Sequence, residues 1–450
     1  MTESEHYSKE SATILTGLFI SFNYFLPLIG GVMIDRLVSS KQLYCIGSFL
    51  SFFGCLLLAK NIHLFVALAL FLMSSLVTNV CLNMFITRLY AAHEIIERRV
   101  AFIWNYVGMN VGFLAGYFLT GYSTIFKNYS NLFMLIAILM MMSLLFTSTL
   151  IKEHSAQFKQ KQRTIMTLLI MICLTVIITI VFQHAEYVQK GITCISFIVL
   201  STLIYYGFRK SSLQYRNNFL KFVIYSILAI AFWSIYMLTP IAIMQLIEND
   251  VERNVFGITL APQWLVIIDS IIILTFGPLF ALVMNQGKNT KAKIYSVLNY
   301  FQLAFLFSAL AFVSLYFGFA HLTAYDKIQI WPMLTYLILL TAGEIFVSPI
   351  GNSLIGELIE QPIRGLMTGA WSMNIGIGGL LASIISNRYL LPYISKNGLE
   401  TYNTIKLKVI LLEIGSIWFF IAILLYLASK YLSNRKINYN PVEIGSRGLS

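Results

Sequence analysis

Long apolar runs separated by short polar spacers recur along the chain from Ala12 to Leu432. Most of these runs reach the roughly 20 residues that a helix needs to cross a hydrocarbon core about 30 Å thick. They lack the strict apolar and polar alternation of membrane β-strands. The pattern therefore predicts an all-α polytopic membrane protein with thirteen transmembrane helices, at 12–34, 43–60, 62–86, 100–121, 129–151, 164–183, 190–208, 219–247, 261–284, 293–318, 328–352, 366–391 and 406–432.

The composition agrees with this pattern, since 58% of the 450 residues are hydrophobic and only 11% are charged. A water-soluble domain of this length needs a more polar surface. The formal net charge is +12, but the basic residues are scattered singly through the loops, so no nucleic-acid surface is predicted. The five cysteines lie in apolar runs without metal-ligand spacing, and we expect packing roles, no disulfide, no metal and no cofactor.

The distribution of positive charge predicts the orientation in the membrane. About two thirds of the 31 lysines and arginines fall in loops on the side of the C-terminal tail, and such loops are normally cytoplasmic. We therefore expect a monomer in the cell (inner) membrane with a cytoplasmic C-terminus. Since thirteen is odd, the N-terminus is expected outside, although the polar tail 1–11 is neither a signal peptide nor a spanning segment. The sequence thus predicts that one helix is missing before Met1.

The eleventh predicted span carries one carboxylate, Glu344, well inside its apolar run. An ionised acid at that depth costs roughly 2.5 to 3.5 kcal/mol even on a lenient insertion scale, so it is expected to line a protein cavity. Ser348 lies four residues later on the same helix face. Pro349, Gly351 and Asn352 then predict an interruption of the helix, tolerated where neighbours or water satisfy the freed backbone groups.

Two more acids lie within predicted spans. Asp269 is about eight residues inside the ninth span and is the second candidate, after Glu344, for carrying a coupled proton. Glu413 in the last span follows Lys406 and Lys408, and we interpret it as an acid that pairs at the helix edge.

Glycines and polar residues mark the fourth predicted span. Gly108, Gly112 and Gly116 form a small-residue ridge that predicts close helix contact. Tyr106 and Asn110 are also four residues apart and form a polar stripe on another face. That stripe either grips a neighbouring helix or binds a ligand.

Two further motifs each allow two interpretations. Gly30–Gly31 followed by Asp35 and Arg36 indicates either a helix-end ion pair that closes a cytoplasmic gate or an ordinary positively charged turn. Phe232–Trp233 sits in mid-membrane, away from the interfacial belt that tryptophan prefers, which indicates a cavity wall or a filled bundle core.

Taken together, these stretches resemble the proton-dependent oligopeptide transporter family of the major facilitator superfamily. The motifs are Tyr24-x-x-Pro27-x-x-Gly30-Gly31 leading to Asp35-Arg36, Tyr106-x-x-x-Asn110-x-Gly112, Phe232-Trp233, Glu344-x-x-x-Ser348-Pro349-x-Gly351, and Gly369-x-Trp371. The thirteen spans equal the family's fourteen helices without the first, which bears its Glu-x-x-Glu-Arg motif. The resemblance implies an extracytoplasmic tail 1–11, a helical half 12–151, a two-helix insertion 152–218, a second half 219–432 and a cytoplasmic tail 433–450.

The resemblance also implies roles for individual residues. Glu344 would face the amino group of a peptide, in a central cavity lined by Tyr24, Tyr106, Asn110, Trp233, Ser348 and Trp371. Asn79, which stands where the family usually has a lysine, is included in this expected substrate-binding set. Asp269 replaces an asparagine of the family, so the pocket would favour cationic or neutral ligands.

The leading hypothesis is therefore a secondary transporter that moves di- or tripeptides, or related solutes, together with protons. Alternatives are a transporter of a non-peptide cationic or neutral metabolite, and a transport-inactive or truncated member. A membrane enzyme is disfavoured because the six histidines lie singly in loops or at segment ends, without paired spacing.

Overall fold

The computed structural model describes residues 9–90, 94–125, 129–151, 160–213, 215–255, 258–260, 262–286, 297–320, 327–390 and 401–438. The chain in these ranges is almost entirely helical. The helices are α1 (Lys9–Arg36), α2 (Ser40–Ala59), α3 (Leu64–Phe71), α4 (Met73–Leu89), α5 (Ile95–Ile125), α6 (Tyr129–Leu150), α7 (Gln160–Gln183), α8 (Ala185–Lys210), α9 (Arg216–Tyr236), α10 (Met244–Asp250), α11 (Pro262–Gln286), α12 (Val297–Ala320), α13 (Ile330–Leu358), α14 (Arg364–Ile385) and α15 (Thr401–Asn438).

Ten helices in the described part of the chain are long and apolar enough to cross a membrane. The all-α fold expected from the apolar runs is therefore confirmed. The termini differ from the predicted boundaries, because α1 already begins at Lys9 and α15 continues to Asn438. Most of the predicted tails, 1–8 and 439–450, lies outside the described residues.

Several helices depart locally from regular geometry. The third predicted span is divided at Leu72 into α3 and α4. A π-helical segment, Thr239–Ile243, follows α9 and contains Pro240, whose missing amide hydrogen removes one regular helical bond. A second π-helical segment, Ser386–Leu390, follows α14. The short hairpin of β1 (Asn254–Val255) and β2 (Ile258–Thr259) was not predicted from the sequence.

The predicted interruption after Ser348 is wrong. Helix α13 continues through Pro349 and Gly351 to Leu358. Both residues are buried, and the ring of Trp371 from α14 lies directly over Gly351. The packing of α14 onto this stretch therefore holds the helix together across the proline.

Helices from distant parts of the chain form the central packing. Helix α1 packs along α14, α5 packs along α11, and α13 contacts α5, α11 and α12. Gly31 on α1 touches the carbonyl of Gly365 on α14, so a side chain larger than hydrogen would not fit at either position. Helix α7 packs on α3, whereas α8 packs on α1, α9 and α14.

The predicted close contact through Gly108, Gly112 and Gly116 is wrong, because each of the three glycines has open space where a side chain would stand. A different face of α5 packs on α11. On that face Val107 touches Gly277, and Gly121 accommodates the indole of Trp264. The sequence showed which residues share a helix face but not which face meets the neighbouring helix.

Candidate functional site

Glu344 lies in the middle of α13 and is enclosed by residues from two other helices. Its side chain is only 7% exposed. The hydroxyl groups of Tyr106 on α5 and Tyr236 on α9 lie near the carboxylate and interact with it. Within the described residues, the second oxygen, Oε2, is buried without a hydrogen-bond partner. Since buried polar groups are normally satisfied, this oxygen is the group most in need of a ligand or a proton.

The second acid, Asp269 on α11, is attached to the same stretch of α13. The hydroxyl of Thr341 donates a 2.6 Å hydrogen bond to Oδ1 of Asp269. Thr341 precedes Glu344 by three residues, and Cβ atoms at this spacing lie about 5–6 Å apart on one helix face. Asp269 and Glu344 also interact electrostatically. The structure therefore brings the two predicted proton-coupling residues into one site.

Tyrosines supply most of the polar surface around the two acids. Besides Tyr106 and Tyr236, Tyr24 on α1 interacts electrostatically with Glu344, and Tyr117 on α5 interacts with both acids. Tyr336 on α13 interacts with Asp269 and is hydrogen-bonded to Thr239 at 2.9 Å. The site is thus a shell of phenolic hydroxyl groups around two carboxylates.

Four residues around the two acids were missed as site residues from the sequence: Tyr117, Tyr236, Tyr336 and Thr341. Tyr117 could have been found from helical periodicity, because it follows Asn110 by seven residues and therefore shares its face of α5. Thr341 carried a weaker signal, since it lies one turn before Glu344. Nothing in the local sequence indicated that Tyr236 reaches across to α13.

Some predicted binding residues lie directly beside this shell. Ser348 lies near the hydroxyl of Tyr106 and interacts with it. Asn110 is buried and donates from Nδ2 to the carbonyl oxygen of Tyr106 at 2.9 Å, so it bonds to its own helix. The side chain of Asn79, on α4, lies outside the described residues.

The two predicted tryptophans occupy the packed core. Trp233 is 5% exposed, its ring centroid lies 5.2 Å from that of Tyr236, and it packs over Gly378. Trp371 is 3% exposed and packs against Gly351 and Phe222. Phe232 is fully buried next to Trp233. These contacts match the filled-core interpretation of the aromatic pair; through Tyr236, Trp233 also supports the acid site indirectly.

The Asp35 motif lies at the other end of the α1–α14 contact. Its two carboxylate oxygens accept hydrogen bonds from the backbone amides of Gly365 and Leu366, at 3.0 and 2.7 Å. These amides belong to the first turn of α14, whose N–H groups have no partner within the helix. Arg36 and Arg364 interact electrostatically with the Asp35 carboxylate, which in addition caps a helix N-terminus, where the helix dipole also favours a negative charge.

Arg36 is also bonded to α8. It donates a 3.0 Å hydrogen bond to the hydroxyl of Tyr206 near the end of α8. Just beyond the end of α8, the backbone amide and the hydroxyl of Ser212 donate to the carboxylate of Glu360, at 3.1 and 2.6 Å. Glu360 lies between α13 and α14. The end of α8 is therefore bonded both to Arg36, at the end of α1, and to Glu360, just before α14.

The chemistry available at the central site follows from its charges. Within the described part of the chain, neither Asp269 nor Glu344 is paired with a lysine or arginine. No cluster of His, Cys, Asp and Glu that could hold a metal ion is found among the same residues. Two carboxylates in a hydroxyl-lined, enclosed setting can bind a proton or an ammonium group.

Known proteins with sequences similar to this chain are named as peptide transporters. The peptide transporter YePEPT of Yersinia enterocolitica is 22% identical over 406 residues, which cover 84% of this chain and 79% of the relative. The di-/tripeptide transporter of Lactococcus lactis subsp. cremoris is 23% identical over 389 residues, covering 81% of this chain and 77% of the relative. The resemblance to peptide transporters found in the sequence is confirmed by these relatives.

Solved structures show the same fold. The crystal structure of the peptide transporter POT in complex with sulfate superposes with a TM-score of 0.70 at 17% identity, covering 94% of this chain and 87% of that chain. A POT family transporter in complex with 5-aminolevulinic acid gives a TM-score of 0.71 at 16% identity, covering 96% of this chain and 91% of that chain.

The sequence family described as Major Facilitator Superfamily matches residues 1–383. This chain therefore belongs to the Major Facilitator Superfamily.

Proposed function

We propose that this protein is a secondary active transporter that moves small peptides together with protons by alternating access. The names of its relatives support the substrate class. The observation that carries the proposal is the buried Glu344 carboxylate, which interacts with two tyrosines and has one oxygen without a hydrogen-bond partner among the described residues. An acid in this state can exchange a proton for the ammonium group of a substrate, and such exchange couples the two fluxes.

In this proposal Glu344 receives the amino group of the peptide, and Glu344 or Asp269 carries the coupled proton. Tyr24, Tyr106 and Ser348 position the substrate around Glu344. Asn79, Asn110, Trp233 and Trp371 complete the binding cavity or support its walls. Asp35 and Arg36 form the gate on the side of the α14 N-terminus.

The proposed arrangement in the membrane follows the charge bias. Thirteen crossings place the C-terminus in the cytoplasm of a cell whose inner membrane holds the protein as a monomer. The halves 12–151 and 219–432 rock against each other around the midplane site, and the insertion 152–218 lies between them in sequence. The contacts of α1 with α14 and of α5 with α11 are the surfaces that such rocking rearranges.

The test is uptake of labelled dialanine into proteoliposomes that contain the purified full chain. Wild-type protein is expected to accumulate dialanine when the outer buffer is more acidic than the inside. Glu344→Gln is expected to abolish gradient-driven accumulation while exchange between inside and outside dialanine stays measurable. The matched control is Glu413→Gln, since Glu413 is an exposed acid on α15, and it should behave like wild type.

Two outcomes contradict the proposal. Unchanged gradient-driven uptake by Glu344→Gln removes Glu344 from proton coupling. Absence of uptake and exchange for dialanine and trialanine in the wild type removes the peptide assignment and favours the transport-inactive alternative.

A further inference from the structure

Two carboxylates, not one, face the centre of the site. We propose that Asp269 and Glu344 together recognise two positive charges, so that the preferred substrates are peptides whose first residue carries a basic side chain beside its free α-ammonium group. The inference rests on the proposed function, because it specifies the substrate of the same site. Asp269 would then determine specificity, in addition to any part in proton transfer.

The geometry supports two separate cation positions. Thr341 fixes Asp269 at one helical turn from Glu344, through the 2.6 Å hydrogen bond to Oδ1. Thr341 and Glu344 occupy separate positions on α13, with Cβ atoms about 5–6 Å apart, so the two carboxylates reach the site from different anchoring points. The α- and ε-ammonium groups of an N-terminal lysine are separated by a short flexible aliphatic chain and can reach both acids at once.

The remaining hydrogen-bonding capacity is also suited to ammonium groups. Among the residues that the structure describes, Oε2 of Glu344 is buried without a hydrogen-bond partner, and Thr341 donates to Oδ1 of Asp269. An ammonium group has three donors and no acceptor. It can donate to a carboxylate and also to the phenolic oxygens of Tyr24, Tyr106, Tyr117 or Tyr236, which interact with these acids.

The charge balance distinguishes this site from one built for a neutral dipeptide. Neither acid has a lysine or arginine partner within the described residues, so both charges are uncompensated when ionised. Like charges held close together in an enclosed site repel each other. A ligand with one ammonium group compensates one of them, whereas a ligand with two compensates both and removes the repulsion.

The test is competition binding to the purified full chain, with dialanine, lysyl-alanine and alanyl-lysine as unlabelled ligands. Lysyl-alanine is expected to bind about tenfold more tightly than dialanine. Alanyl-lysine controls for net charge, since its basic group lies at the far end of the peptide. Its affinity should exceed that of dialanine by less than threefold. The comparison in the wild type needs no variant and so does not depend on whether a mutant folds.

Two variants then locate the effect. Asp269→Asn is expected to reduce the preference for lysyl-alanine over dialanine to less than twofold. Asp269→Glu, which keeps the charge, should retain part of it, and Glu413→Gln should retain all of it. The readout is the ratio of two affinities within one variant, so a general loss of active protein does not imitate the effect.

The outcomes separate this inference from the proposed function. Equal binding of dialanine and lysyl-alanine by the wild type overturns the two-cation site and leaves peptide transport intact. A preference that survives Asp269→Asn also overturns it. If none of the three peptides binds, both the inference and the proposed function fail.

Discussion

The backbone amide of Leu366 lies 2.7 Å from a carboxylate oxygen of Asp35, so a side chain at the end of α1 caps the start of α14. The same carboxylate accepts from Gly365, and Gly31 and Gly365 let the two backbones touch. The contact therefore combines a charge-assisted cap with close steric fit. Both features hold α1 and α14 together at one end of the bundle.

Asp35→Ala should weaken the contact between the end of α1 and the start of α14. Loss of a cap typically costs about 1–2 kcal/mol, so we expect a lower thermal unfolding midpoint. We also expect faster maleimide labelling of a cysteine placed at Leu366, in a background without the natural cysteines. Arg36→Gln separates the two halves of the proposed gate, because it removes the bond to Tyr206 and leaves both amides capped by Asp35. Labelling that is equally slow with and without Asp35 would exclude a gating role for this carboxylate.

The tyrosines around Glu344 provide a second prediction. Tyr106→Phe and Tyr236→Phe each remove a hydroxyl group that interacts with the Glu344 carboxylate, and a hydrogen bond to a charged group is worth about 1.5–3 kcal/mol. We expect dialanine to bind roughly ten- to a hundredfold more weakly in either variant. Tyr44→Phe is the control, since Tyr44 is also a buried tyrosine, hydrogen-bonded at 2.6 Å to Ser143 between α2 and α6. Equal loss of affinity in all three variants would point to general destabilisation.

A buried ion pair joins α5 to α13. Arg99 donates from Nε and Nη2 to the two oxygens of Glu357, both at 2.9 Å, and the side chains are 5% and 9% exposed. Removal of one partner leaves an uncompensated buried charge, so Glu357→Ala should lower the free energy of unfolding by about 3–5 kcal/mol. The double variant Arg99→Met with Glu357→Leu should recover most of the loss in a thermal unfolding assay. A double variant as unstable as the single one would contradict this interpretation.

Asp250, beyond the membrane-spanning part of its helix, predicts a pH dependence. Burial raises the pKa of its carboxyl to about 6, although Lys327 acts in the opposite direction. Because this folded-state pKa lies above the unfolded value of about 3.9, the stabilising contribution is present at low pH and is lost as pH rises through 6. Asp250→Asn should therefore raise the thermal midpoint at about pH 8 more than at about pH 4. Glu252→Gln, at an exposed acid two residues away, should show no such difference.

The sequence was sufficient to predict the helices and the two acids of the site. Apolar length alone places spans, because a bilayer demands about 20 apolar residues for each crossing. The cost of burying Glu344 and Asp269 identified them as functional candidates without any structural information. Gly30 and Gly31, which the sequence marked as part of a motif, pack closely against α4 and α14.

Tertiary contacts decided what the sequence could not. Helical periodicity placed Gly108 and Gly112 on one face of α5, but only the neighbouring helix determines whether that face is covered. Tyr236 reaches Glu344 across the gap between α9 and α13, and Asp35 meets backbone amides, which carry no sequence signature. The continuity of α13 across Pro349 likewise depends on burial against α14.

Helices α7 and α8 both contact α1, but their other neighbours differ, since α7 packs on α3 and α8 packs on α14. Met171, Ile178 and Phe182 of α7 belong to the same hydrophobic cluster as α1–α4, whereas the end of α8 is bonded to Arg36 and leads directly to the Glu360 anchor. Helices α7 and α8 are joined only by His184. A shift of α14 relative to α3 must therefore flex this joint or break the anchors. We therefore expect α7 and α8 to restrict a displacement of α14 away from α3.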